Sequence, residues 1–185
     1  MVRYVGEDDT GENITKDEVD RLHAAGLKIA LVYQTGKQFM LEGGFERGRL
    51  AASVALWQGV SVGMPPDRPV YFALDVDPTS IQHEGWTVVE SFLAGAASVI
   101  GLDRVGVYGG RLAIDSLVPW HATWGWQTYA WSGYRKDADP DVWADSREQD
   151  IWSAKANVIQ YRNGQTLCDG LVDFNKSITA DFGQW

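Results

Sequence analysis

Two acids, Asp75 and Asp77, stand two residues apart at the end of an apolar run, VYFALDVDPTS over residues 70–80. Alternation along a strand puts them on one side, with Cα atoms about 6.6 Å apart. If the strand ends near Val76, both carboxylates are expected to project into one crevice. Unpaired carboxylates withdrawn from water are costly, so these must meet solvent, a cation, or each other across a shared proton. A shared proton raises one pKa, which is what a general acid needs. Glycoside hydrolysis uses such a pair: one group protonates the leaving oxygen while the other activates water or attacks the sugar. Asp173, in LVDFN near the end of the last strand-like run, is a third acid able to reach the same mouth.

Two other readings of the acids stand beside this one. In the first, Asp77-Pro78 opens a turn and Asp75 pairs with a neighbouring Arg. In the second, Asp75, Asp77 and Asp173 are hard oxygen ligands for a divalent metal. Nothing else in the sequence specifies a metal, and the expectation is a site without metal or cofactor.

The aromatics fit a sugar more easily than a metal-bound phosphate. Trp124, Trp126, Tyr129 and Trp131 crowd the stretch TWGWQTYAWSG. Strand alternation would set Trp126 opposite Tyr129 and place Tyr129 and Trp131 on one side. Flat apolar rings with a polar edge suit the C–H face of a sugar, and Gln127 or Gln160 would take its hydroxyls. Core packing is the competing use of the same rings. Other chemical patterns fail. His23, His83 and His121 form no H-E-x-x-H, Ser132 lacks a G-x-S-x-G elbow, Cys168 in TLCDG has no specified partner, and VYGGR lacks G-K-[ST].

Composition narrows the partners. The 185 residues fit one domain, 1–185, with an apolar share of 45% and a charged share of 22%. A net charge of -9 argues against nucleic-acid or anionic-membrane partners, whose phosphates would be repelled. One Cys excludes an internal disulfide framework. No apolar run reaches the roughly 18 residues of a spanning helix. The acidic opening, MVRYVGEDDTGE, does not read as a secretory signal.

The elements that must position these residues alternate. In NITKDEVDRLHAAG, Thr15 and Glu18 form a capping box, Ile14 and Val19 a hydrophobic staple, and Gly26 a left-handed stop. LKIALVYQ reads as a strand buried on both faces. A second helix covers Phe45 to Val60 and ends before the prolines of GMPPDRP. VYFALDV is the next strand. A third helix follows with Val89, Phe92, Leu93, Ala96 and Ile100 on one face, then the strand DRVGVYGG. WQTYAW, NVIQY and LVDFN are further strand-like runs, and SGYRKDADPDVWADSREQD reads as a long surface loop. Counting VRYVG, seven strands are expected in a parallel α/β arrangement. No G-x-G-x-x-G follows a strand. Acids and aromatics at the ends of several strands favour a (β/α) barrel over an open doubly wound sheet.

RYVG, NITKDEVDRLHAAGLKIALVYQ, GMPPDRPVYFALDVD, DRVGVYGG, WGWQTYAWSG, VIQYRNG and VDFNKSITADFGQW follow in this order. Together they resemble the Rv2525c-like, glycoside-hydrolase-like domain found in actinobacteria and their phages, over nearly the whole chain. The resemblance implies a (β/α)8 TIM-type barrel similar to the family 25 lysozymes, which cleave peptidoglycan. In those relatives an acid ends the first strand, a D-x-E pair ends a middle strand, and another acid lies in V-D-x-N near the C-terminus. Asp75 matches the first member of the pair, Asp77 stands where the lysozymes carry their catalytic glutamate, and Asp173 and Asn175 match the terminal motif. Two departures follow. Asp is one methylene shorter than Glu, and misplacement by about a bond length can cost roughly 10²-fold. RYVG resembles the family's second strand, so the first strand and its acid are expected to be missing. Either the natural chain starts upstream of Met1, or the gap is closed by a homodimer partner or by altered strand pairing.

The implied function is lysozyme-like cleavage of cell-wall peptidoglycan by general acid catalysis, at the wall after secretion or phage release. Asp77 would be the proton donor. Asp75 and Asp173 would orient the N-acetyl group or stabilise positive charge. Tyr33, Gln34, Tyr108, Trp126, Tyr129, Trp131, Gln160 and Asn175 would line the cleft. A non-catalytic glycan-binding module on a degenerate glycosidase barrel is the competing class, and a metal-dependent phosphoesterase a third.

Overall fold

NITKDEVDRLHAAG folds much as its pattern dictates. In the computed structural model, which describes residues 1–7, 12–133, 151–167 and 170–185, helix α1 spans Lys16–Ala24 and the Thr15 hydroxyl accepts from the Glu18 amide at 3.3 Å. Ile14 and Val19 are both buried, as a staple requires, and Gly26 sits at φ 75°. The second half of the capping box does not form. The Glu18 carboxylate turns instead to Arg3, which holds it through Nε at 2.5 Å and Nη2 at 3.2 Å. An ion pair to a neighbouring strand replaces a bond within the helix.

Helices α2 (Gly44–Ser61) and α3 (His83–Ile100) cover the sheet, and every predicted core position of α3 is buried. The two helices cross at glycines. A Cβ on Gly48 would lie 1.9 Å from the Phe92 carbonyl oxygen, and one on Gly95 would lie 2.0 Å from that of Phe45. A short helix, α4 (Arg111–Leu117), escapes the sequence reading because two glycines precede it and it lasts only seven residues. It buries Ala113, Ile114 and Leu117.

The strands are β1 (Val2–Val5), β2 (Ala30–Tyr33), β3 (Val70–Ala73), β4 (Val105–Gly109), β5 (Trp124–Thr128), β6 (Val158–Leu167) and β7 (Gly170–Ser177). They form one sheet in sequence order, parallel from β1 through β6. The fold is α/β, with the sheet curled into a half-barrel. The last pair departs from the expected parallel pattern, since β7 runs antiparallel to β6. Only residues 168 and 169 separate these strands, far short of the dozen or more that a parallel crossover needs. Register shifts between Gln160 and Gln165 bend the hairpin.

β1 and β7 are the sheet's two edges. Val2 and Tyr4 present their backbone groups away from β2. Tyr4 is met there by a parallel bridge to Asn13, with the Ile14 amide donating to the Tyr4 carbonyl at 2.9 Å. Residues just after β1 therefore cap part of the exposed edge, so pairing with a second copy along it would have to displace them. Among the described residues no helix is long and apolar enough to cross a membrane. Most of the expected surface loop, residues 134–150, and Cys168 lie outside the described residues.

Candidate functional site

The curl brings one inner-facing residue from each strand to a common space. Tyr4, Val32, Ala73, Tyr108, Trp126, Gln160 and Asp173 belong to β1 through β7 in turn, and all line a cavity of about 160 Å³. A flat sheet could not bring its two edge strands to one cavity. Gln34, Asp75 and Asn163 complete the lining at the C-terminal ends of the parallel strands. A second cavity of about 580 Å³ shares Tyr4, Val32, Trp126, Gln160 and Asp173 with the first. It runs beside the gap between the edge strands, lined by consecutive residues 1–4 and 171–175.

Close packing fixes the walls. Gly106 lies on the inner face of β4, where a Cβ would come within 2.6 Å of the Tyr71 ring. The missing side chain admits that ring, whose hydroxyl donates to the Phe182 carbonyl at 2.9 Å. Tyr71 meets Trp126 edge-on, and Trp126 meets Tyr108 with ring centroids 4.6 Å apart. Trp126 is tied by Nε1–H to the Asn175 side-chain oxygen at 2.8 Å. A relay then crosses the cavity. The Tyr108 hydroxyl donates to Gln160 Oε1 at 2.8 Å, and Gln160 Nε2 donates to Asp173 Oδ2 at 3.0 Å. The other Asp173 oxygen accepts from the Gly164 amide at 2.8 Å.

Asp75 and Asp173 thus meet at one cavity, but Asp77 does not join them. β3 stops at Ala73, and Asp77 caps a 3-10 turn over Pro78–Ser80, its Oδ1 accepting from the Thr79 amide at 2.9 Å and hydroxyl at 2.7 Å. The alternation that would align residues 75 and 77 requires a strand continuing to Val76, and the turn breaks it. For Asp77 the turn-opening reading describes the geometry. Asp75 forms no ion pair with an arginine among the described residues. It accepts from Gln34 Nε2 at 3.3 Å. Nor do Asp75, Asp77 and Asp173 gather as a three-carboxylate cage.

Several expected lining residues point elsewhere. Tyr33 faces the helical layer, packed edge-on against Phe39, because alternation gives the inner face to Val32 and Gln34. Tyr129 and Trp131 follow the end of β5 at Thr128 and line neither described cavity. Trp131 sits at φ 55° against Gly110, so the alternation drawn through residue 131 fails. Gln127 is buried on the outer face, where it donates to the Ile151 carbonyl at 2.6 Å and accepts from the Ser153 amide at 2.7 Å. Gln34, Tyr108, Trp126 and Gln160 line the smaller cavity, and Asn175 lines the larger one. Tyr4 and Asn163 line the smaller cavity without being expected from the sequence, and Tyr71, also unexpected, packs against Trp126 without lining either cavity. The alternation that set Asp75 inward also sets Ala73 and Tyr71 inward, so Tyr71 was within reach of the same argument.

Burial pushes the Asp75 carboxyl above its ordinary pKa, against the opposing pull of Lys37 and the Gln34 hydrogen bond. Burial also raises the Tyr4 hydroxyl, helped by the carboxylates of Asp173, Glu12 and Asp75. Burial leads the upward shift at Tyr108 against the hydrogen bond of Thr128, with Asp75 and Asp173 adding to it. The Asp75 shift has a stability consequence. An acid whose folded pKa exceeds its unfolded value of 3.8 holds its proton longer in the native state. Stability is then undiminished below that value and falls as pH rises through the folded pKa. Asp75→Asn cannot ionise, so it is expected to raise the melting temperature over wild type at neutral pH and to leave it nearly unchanged at strongly acidic pH. Thermal melts at the two pH values check this, and a destabilised variant at neutral pH would contradict it.

No curated protein matches the chain. The crystal structure of the Mycobacterium tuberculosis Tat-secreted protein Rv2525c in complex with L-tartrate is similar, with a TM-score of 0.80 at 26% identity. The match covers 100% of this chain and 87% of that one. The same protein in complex with HEPES gives a TM-score of 0.77 at 25% identity over the same shares. An uncharacterized B. stearothermophilus protein shares the fold, with a TM-score of 0.60 at 20% identity over 95% of this chain and 82% of its own. The model of the Rv2525c-like, glycoside hydrolase-like domain matches residues 1–178, and the chain belongs to that family.

Proposed function

We propose that this half-barrel is a variant of the TIM-type barrel and acts as a glycosidase on bacterial cell-wall glycan. The reading is carried by one observation: Asp75 and Asp173 line a single aromatic-walled cavity at the strand ends. Asp75 is the proton donor in this scheme, because burial favours its neutral form and a general acid must hold a proton at working pH. Asp173, fixed by Gln160 and Gly164, is the second carboxylate and stabilises positive charge on the sugar as the glycosidic bond breaks. Trp126 and Tyr108 supply the wall against which the ring lies, and Gln34 holds Asp75 in place. Asp77 has a structural part in this scheme, shaping the turn that follows Asp75.

The competing reading, a glycan-binding module without catalysis, is favoured by the engagement of both Asp173 oxygens within the protein. The Tat secretion of Rv2525c supports an extracytoplasmic place of action, at the wall, for this chain too. Incubation with purified peptidoglycan separates the two readings. New reducing ends and falling turbidity support hydrolysis; binding to the wall without release of ends leaves the module alone.

A further inference from the structure

The lining of the smaller cavity carries acceptors and π faces but no cationic side chain. Its acids are Asp75, which holds a proton in the scheme above, and the carboxylate Asp173, and among the described residues neither forms a salt bridge. Arg3, which lines the adjoining cavity, is already paired with Glu18. Lys37 acts on Asp75 without lining the cavity. An ionised carboxylate offers about four acceptor positions. Asp173 uses one on Gly164 and one on Gln160, and Asp75 receives one long bond from Gln34. The site therefore holds unfilled acceptor positions and, on Asp173, a carboxylate with no salt-bridge partner among the described residues, beside the rings of Tyr4, Tyr108 and Trp126. Aromatic faces attract cations, and the attraction strengthens when the pair is shielded from water.

We infer that the cavity selects a glycan unit carrying a free, protonated amine, a glucosamine residue, over the same unit with its amine acetylated. This rests on the glycan reading above and names its substrate class. The ammonium brings a positive charge and donors to the unfilled Asp173 positions and a cation to the aromatic wall. An acetamide brings one donor and no charge, so it leaves the Asp173 carboxylate without a cationic partner.

Calorimetric titration of the whole chain with a glucosamine trimer and with its fully N-acetylated counterpart tests this, at about pH 6 so that the amines are protonated. The amine form is expected to bind at least about tenfold more tightly, the effect of one hydrogen bond between charged groups. The preference should shrink to near unity in Asp173→Asn, checked for folding by its thermal melt. It should persist in Asp181→Asn, an exposed acid outside the cavity lining. Because the protein's net charge of -9 attracts any cation, an equal preference in wild type and Asp173→Asn would overturn the inference. Tighter binding of the acetylated trimer would also overturn it while leaving the glycan reading intact. Binding of neither trimer would overturn both.

Discussion

Asp75→Asn is expected to reduce release of reducing ends from peptidoglycan by at least 10²-fold while glycan binding persists. Proton transfer by a positioned acid contributes about 10²–10⁴-fold, and the amide cannot supply the proton. The loss should fall on kcat, since a carboxamide keeps nearly the shape and polarity of the group it replaces. Asp77→Asn sets the contrast. Its carboxylate is committed to the Thr79 amide and hydroxyl, so the change should cost about 1 kcal/mol of stability through the cap and leave catalysis largely intact. Equal losses of activity in the two variants would return the proton donor to the position that family resemblance alone suggests.

Gly48→Ala is expected to destabilise the fold by about 3 kcal/mol, near the upper end for an overpacked core. The added methyl would meet the Phe92 carbonyl oxygen at 1.9 Å, and backbone cannot swing aside as a flexible side chain would. Gly95→Ala strikes the Phe45 carbonyl from the opposite helix and should cost a similar amount. Relief requires α2 and α3 to separate, which opens the Phe39–Phe92–Phe72 cluster beneath them. Because both substitutions force the same separation, the double variant should lose less than the sum of the two. Urea denaturation of the three variants measures this, and stability within 0.5 kcal/mol of wild type, the range of an ordinary surface change, would contradict the crossing geometry.

Much of this architecture is legible in the sequence because its signals are local. Thr15, Ile14, Val19 and Gly26 mark α1 without help from the rest of the chain. The apolar runs at residues 30–33, 70–73 and 105–109 mark buried strands, and the period of α3 marks its buried face. Legibility fails where a strand stops, since a period of two assigns faces only while the strand lasts. β3 ends two residues before Asp75, and the turn after it takes Asp77 out of register. β5 ends at Thr128, so Tyr129 and Trp131 follow a turn in place of the pleat. Tyr33 ends a strand but shares the parity of Leu31, whose side chain packs against Gly59 of α2, so it lies under the helices. The antiparallel β7 is legible too, because the nine residues between NVIQY and LVDFN fall short of the dozen or more that a parallel crossover needs, although the preceding strands set a parallel pattern. Convergence of Tyr4 with Asp173 was beyond local pattern, because it depends on the curl of the whole sheet.

The most direct test of the account is the crystal structure of the Asp75→Asn variant soaked with a cell-wall glycan oligomer. The account predicts a sugar ring against Trp126 and Tyr108, with a glycosidic oxygen within about 2.6–3.2 Å of the residue 75 amide and the neighbouring ring beside Asp173. A glycan bound outside the half-barrel, or one whose scissile oxygen lies nearest residue 77, would contradict it.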